Sequence, residues 1–389
     1  MSIPLALYLH FPWCVSKCPY CDFNSFALRD VLPEQAYLDA LESDLLHQLE
    51  QRAAALQGRS FATIFMGGGT PSLFSPQAIA RVIEIVRRNY PLDASAEITL
   101  EANPATVERG RFAEYAAAGI NRVSLGAQSF DPQALRALGR IHQPADVVRA
   151  AEELHAAGLH NFNLDLMYGL PATTPQHAIA DVEQALALQP AQVSHYHLTL
   201  EPGTPFAAQP PADLPDDQQT TVMLEAALAR FSAAGLRQYE VSAHATVGRE
   251  CAHNLIYWGF GDYLGVGAGA HGKLSRLNPD TGELDILRST HSREPRRYQR
   301  DPRASLSWLA VPAEQRPFEF LLNALRLTAG FELATFTART GLAAEALEPR
   351  LSALIERGLL AWQAPRLVAT DLGQRFLNEV LVEFLPAKP

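Results

Sequence analysis

Cys14, Cys18 and Cys21 stand in a C-x3-C-x2-C spacing and account for three of the four cysteines in the 389-residue chain. Three thiolates on one tight loop can hold three irons of a cubane [4Fe–4S] cluster and leave the fourth iron open. Pro12 and Pro19 stiffen that loop, and Trp13, Tyr20 and Phe23 dry it. The competing chemistry is structural zinc with His10 as fourth ligand, but zinc sites normally use C-x2-C pairs on two separate loops. A disulfide is disfavoured by the odd number of clustered cysteines. An open iron needs a ligand. The segment Gly67-Gly68-Gly69-Thr70-Pro71 follows an apolar run, and absent side chains let a ligand approach the backbone, whose N–H and C=O groups then become available to it.

Further polar residues recur late in apolar segments: Glu101, Gln128, Asp165 and the pair His195/His197. Asp165, inside an apolar strand, needs a partner or a ligand, because a buried carboxylate is costly otherwise. A second constellation is His253-Asn254-Leu255-Ile256-Tyr257-Trp258. A neutral imidazole is a common axial ligand for heme iron, and the two aromatics could stack on a porphyrin. A packed core histidine is the plainer alternative. Cys251 and His271 are further candidate ligands. The arginines at 288, 293, 296, 297, 300 and 303 suit either porphyrin carboxylates or a solvated loop.

These residues need a scaffold. Apolar strands are expected at 5–11, 61–66, 96–101, 121–126, 161–167 and 192–200. Helices are expected at 34–56, 76–88, 107–118, 144–157 and 175–188 between them. Six βα units imply parallel strands and right-handed crossovers, and hence an α/β partial (β/α)6 barrel. In such barrels the site forms at the C-terminal ends of the strands, where the polar residues above fall. After a Pro-rich loop at 202–217, a helix at 217–234 and a strand at 237–242 follow; residues 275–303 read as irregular. A mainly helical, winged-helix-like tail closes the chain, with helices near 313–328, 332–340, 345–357 and 371–384 and two short strands around Gly358 and Arg366. The expected division is a core at 1–240, a connecting region at 241–310 and the tail at 311–389.

Apolar residues make up 48% and the net charge is −10, which fits a globular chain and disfavours nucleic acid as a partner. No apolar run is long enough to span a bilayer, and the first thirteen residues carry no Lys or Arg. A cytoplasmic location is expected.

The segments LYLHFPWCVSKCPYCDFNS, IFMGGGTPSLF, EITLEANP, NRVSLGAQSF, LGRIHQ, FNLDLMYGLP and HNLIYWGFGDYLGVGAGAHG together resemble the radical S-adenosylmethionine (SAM) superfamily. Within it the likeness runs end to end along the coproporphyrinogen-dehydrogenase-like branch and is strongest to its heme-chaperone group. That resemblance implies a radical-SAM barrel whose Cys14, Cys18 and Cys21 ligate the cluster, with SAM chelating the open iron. Tyr8, Tyr20, Gly68, Gly69, Thr70 and Glu101 then contact SAM. Gln128, Arg140 and Asp165 match residues that hold a second SAM in the dehydrogenase. His253 becomes the expected heme ligand, since HN-x-x-YW is associated with heme binding. The implied partners are heme, an acceptor protein (one at a membrane surface included) and an electron donor if SAM is cleaved. The dehydrogenase, the alternative activity, has a fourth nearby cysteine where this chain has Phe23, and an N-terminal extension that this chain lacks. RNA modification by a radical-SAM enzyme is disfavoured by the acidic balance.

Overall fold

A computed structural model describes residues 3–106 and 110–386 of the chain. Six parallel strands run in chain order: β1 Leu5–Phe11, β2 Phe61–Gly68, β3 Leu92–Ala102, β4 Arg122–Gln128, β5 Phe162–Tyr168 and β6 Gln192–His197. Helices α1 Glu34–Gln51, α2 Pro76–Asn89, α3 Arg111–Ala118, α4 Pro144–Ala156 and α5 Pro175–Ala187 connect them, and α6 Asp217–Ala233 follows β6. The expected helix at 107–118 is seen from Arg111; positions 107–109 lie outside the described residues. Helix starts are locally encoded. Ser75 accepts from the Ala78 N–H at 3.1 Å ahead of Pro76, and Asp216 forms a capping box with Gln219.

The chain then adds β7 Arg237–Gln238, β8 Ala243–Ala245, the short helix α7 Ala252–Trp258, and strands β9 Asp262–Val266, β10 His271–Leu277, β11 Leu284–Thr290 and β12 Ser307–Ala310. All belong to one twelve-stranded sheet ordered β12-β11-β10-β9-β1-β2-β3-β4-β5-β6-β8-β7. β1 and β6 are not neighbours, so the barrel is open between them. The segment 275–303, expected to be irregular, instead carries most of a β-hairpin, from β10 to β11, and a short helix at Pro295–Arg300. Its arginines hid the strand pattern: Arg276 and Arg288 sit in the ladders, paired with Asp285 and Glu319.

Strand alternation divides the structure into two layers. Leu5, Leu7, Leu9 and Phe11 of β1 face the helices, where Phe11 meets Phe74 edge-on at 4.8 Å. Burying each such side chain contributes about 1.5–3 kcal/mol. The opposite face fills the barrel lumen with polar groups. The tail packs as α8 Arg316–Ala324, α9 Leu333–Thr340 and α10 Arg350–Glu356 around a three-stranded sheet, β13 Phe331–Glu332, β14 Leu360–Gln363 and β15 Arg366–Ala369. It has a core of its own, joined to the barrel by Phe260 against Phe320 at 5.7 Å. Among the described residues, no helix is long and apolar enough to cross a membrane.

Candidate functional site at the barrel rim

The C-terminal ends of the six strands open into one cavity. The loop after β1 brings Cys14, Cys18, Cys21, Tyr20 and Phe23; β2 ends in Gly68-Gly69-Thr70; β3 gives Glu101, β4 Ser124 and Gln128, β5 Asp165 and β6 Tyr196. Arg140 reaches in from the segment beyond β4. All the cluster and SAM residues expected from sequence line this cavity except Tyr8.

Tyr8 lies lower in the lumen, its hydroxyl 3.0 Å from His10 Nδ1. The other ring nitrogen of His10 is 2.9 Å from the Asn24 carbonyl. Both nitrogens are thus engaged, which removes His10 as a zinc ligand. Among the described residues, no three Cys, His, Asp or Glu side chains converge as a single metal ion requires. Three thiols spread along one loop over a cavity suit the wider ligand spacing of a cluster.

The N–H groups of the glycine loop are engaged within the protein, contrary to that part of the expectation: Gly68 N–H donates to Glu101 Oε2 at 3.0 Å, Gly69 N–H to Phe11 O at 2.7 Å and Thr70 N–H to Trp13 O at 2.7 Å. A Cβ on Gly69 would stand 2.6 Å from Trp13 O, and one on Gly68 (φ 107°) 2.3 Å from the His10 ring. Glycine here lets the loop after β2 lie directly under the cysteine loop.

The cavity wall carries both carboxyl groups and a guanidinium. Burial, reinforced by Asp165, pushes the Glu101 carboxyl up to about 8. Asp165 is also raised, by burial, while Asn163 (2.7 Å) and Ser124 (3.1 Å) donate to it. In the same lining, Arg140 donates to Gly126 O at 2.8 Å and lies 3.7 Å from Cys18 Sγ, and its buried Nε has no partner in the protein. Two buried carboxyl groups and a guanidinium with a donor to spare, all lining one cavity, fit a ligand that carries both a cation and a carboxylate. SAM, with an ammonium, a sulfonium and a carboxylate, meets that requirement, and Cys14, Cys18 and Cys21 fit a [4Fe–4S] cluster beside it.

Several residues escaped the sequence reading. Ser124, Asn163 and Ser194 are hydrogen-bonded through facing strands, and Tyr196 donates to Gln128 at 2.6 Å. For Ser124 and Asn163 the signal was one polar residue between apolar neighbours in adjacent strands; Ser194, next to His195, lacked it. His195 was expected at the rim, but it points to the helical layer, stacked on Tyr168 at 4.6 Å; Tyr196 takes the lumen place one residue on. His197 lies beside the same ring at 5.1 Å.

His253 lies outside the cavity. It is 1% exposed, on α7, which closes the bottom of the barrel. Its Nδ1 is 2.8 Å from Thr63 Oγ1, its ring stacks on Phe65 at 5.0 Å, and Nε2 has no partner. Burial pushes its pKa down to about 3, so the imidazole is neutral. Cys251 is buried, its thiol 3.5 Å from Glu97, whereas His271 is exposed.

Comparison with known proteins agrees with this architecture. The radical SAM superfamily model matches residues 8–185 and the HemN C-terminal domain model residues 311–376. The heme chaperone HemW of Escherichia coli (strain K12) is 46% identical over 382 residues, 98% of each chain. HemW of Bacillus subtilis (strain 168) is 31% identical over 395 residues, 97% of this chain and 98% of that one. The solved coproporphyrinogen III oxidase HemN from Escherichia coli superposes with a TM-score of 0.81 at 24% identity, covering 98% of this chain and 90% of that one, a likeness of fold.

Proposed function

Because the chain belongs to the radical SAM superfamily and, within it, to the HemW family, we propose that it is a cytoplasmic heme chaperone that binds heme and delivers it to an acceptor protein. The observation that carries this reading is the length of the likeness: 46% identity to a heme chaperone across 98% of both chains, barrel, α7 segment and tail included. Phe23 supports it. It is 61% exposed on the cavity's lip, so the position that is a cysteine in the coproporphyrinogen dehydrogenase carries no ligand here.

In this reading Cys14, Cys18 and Cys21 hold the [4Fe–4S] cluster. Tyr20 and Glu101 hold SAM against the wall formed by Gly68, Gly69 and Thr70, whose N–H groups are engaged within the protein, with Tyr8 supporting them through His10, and Gln128, Arg140 and Asp165 complete the polar wall. When bound, the cluster and SAM supply one-electron chemistry. The chain's own contribution is to offer SAM the carboxyl pair and Arg140 in one cavity and to keep Asp165 held by Asn163 and Ser124. His253 is the proposed heme ligand. Its tightly packed ring must be uncovered before iron can reach Nε2.

Hemin titration of anaerobically reconstituted wild type and His253→Ala, followed in the Soret band, tests the assignment. One hemin per wild-type chain and weakened or spectrally altered binding in the variant, with cluster absorbance intact, is expected. Unchanged binding in the variant would move the ligand elsewhere, to His271 or Cys251 first.

A further inference from the structure

The proposed heme ligand, His253, is shut inside the protein at 1% exposure and does not line the rim cavity. What shuts it in is specific. On β3, Glu97 turns its carboxylate toward the start of α7 and accepts from the N–H groups of Ala252 and His253, both at 3.1 Å, while the Cys251 thiol lies 3.5 Å away. That carboxylate is itself fixed. Arg122, 1% exposed, lies 3.9 Å from it and donates to Gln192 Oε1 at 2.7 Å and to Asn161 Oδ1 at 2.8 Å. On the neighbouring strand β2, Thr63 sits opposite Glu97 in register and holds the His253 ring through Nδ1. Two facing residues of adjacent strands therefore grip one short helix, one by its backbone and one by its side chain.

The grip leaves a cost in place. Nε2 of His253 is buried with no hydrogen-bond partner, and so is Thr99 Oγ1 in the same lumen. Buried polar atoms are rarely left so, and each is destabilising unless something else offsets it.

We propose that Glu97 and Thr63 are positioning residues that latch α7 in a closed, heme-excluding state, and that heme binds when this latch opens and exposes His253. The proposal rests on His253 being the heme ligand. An affinity for heme measured on the whole population is then weakened by the small fraction of open molecules. Loosening the latch enlarges that fraction and tightens apparent binding.

Thr63→Val keeps shape and removes the hydroxyl. It should tighten hemin binding by about fivefold, the effect of one hydrogen bond lost from the closed state alone. Thr63→Ser should restore wild-type affinity. Glu97→Gln, which keeps an acceptor but drops the charge, should tighten it by about tenfold. Its cluster absorbance and melting curve show whether it folds, and Thr63→Val carries the test if it does not. Hydrogen exchange on the cluster-loaded protein gives a second readout: hemin should accelerate exchange at 252–258. Weaker binding in Thr63→Val, or protection of 252–258 by hemin, would overturn the latch and make Thr63 a support of the bound ligand instead. If His253→Ala changes nothing in either the wild-type or the Thr63→Val background, the ligand assignment fails, whatever the latch does.

Discussion

Glu101 offers the sharpest test of how the rim cavity holds its ligand. Its carboxyl is pushed up to about 8 by burial and by Asp165, against an ordinary value near 4.5. At pH 7 it therefore carries a proton in most molecules. A cationic ligand favours the ionised form, so binding must expel that proton, and affinity should rise with pH. The penalty scales as one plus the ratio of protonated to ionised carboxyl. For a value of about 8, affinity should improve about 25-fold from pH 6.5 to 8.5 and level off above, with about 1.4 kcal/mol of penalty at pH 7. Calorimetric titration of the cluster-loaded protein with SAM across this range, in two buffers of different ionisation enthalpy, measures both the affinity and the protons released. In Glu101→Gln the slope contributed by this group should vanish, with the largest loss of affinity at high pH; the titration of SAM itself is common to both proteins and cancels. Equal pH slopes in wild type and variant would refute the reasoning. So would a variant as tight as wild type at pH 8.5.

Two further outcomes follow from the packing. Gly69→Ala places a methyl group 2.6 Å from Trp13 O and 2.7 Å from Phe11 O, both backbone atoms that cannot step aside. It should cost about 1–3 kcal/mol and lower the iron bound after reconstitution, as read by thermal melting and iron analysis. Burial lowers His244 to about 4, so its neutral form is the native one and the unfolded chain takes up the proton first. Its stabilisation is present above about pH 6.5 and is lost as the pH falls toward 4, at about 1.4 kcal/mol per pH unit. Neither ring nitrogen has a partner, and the ring packs on Phe231 at 4.6 Å. His244→Phe should therefore raise the urea midpoint at pH 5.5 relative to wild type more than it does at pH 7, and an equal shift at both would contradict this.

Much of the barrel was legible because each βα unit carries its own signals. Apolar β1 and β2 and the α2 and α4 helices, each opening on a proline, announce themselves locally, and the cysteine spacing together with the triple glycine marks the rim. What the sequence could not give is what depends on register and on distant partners. The match of Ser124 with Asn163 and of Asp165 with Ser194 exists only once β4, β5 and β6 are aligned. The role of Glu97 is likewise non-local, since its carboxylate meets backbone atoms more than 150 positions away. His195 and Tyr196 were exchanged because a one-residue choice of strand face decides which of them enters the lumen. The glycines looked like a ligand cradle because their contact with Trp13 and Phe11 arises only when two loops meet. β10 and β11 were obscured by charges that are paired in the folded chain.

Heme carriage by this radical-SAM barrel has oxidation of a porphyrinogen as its rival. One anaerobic experiment addresses it most directly: cluster-loaded protein with SAM, a reductant, coproporphyrinogen III and hemin in the same vessel, analysed for porphyrin products and protein-bound heme. The account predicts about one heme retained per chain and no protoporphyrinogen. Conversion of coproporphyrinogen at rates on the order of 0.1 per second or faster, within the range of ordinary enzymes, would contradict it.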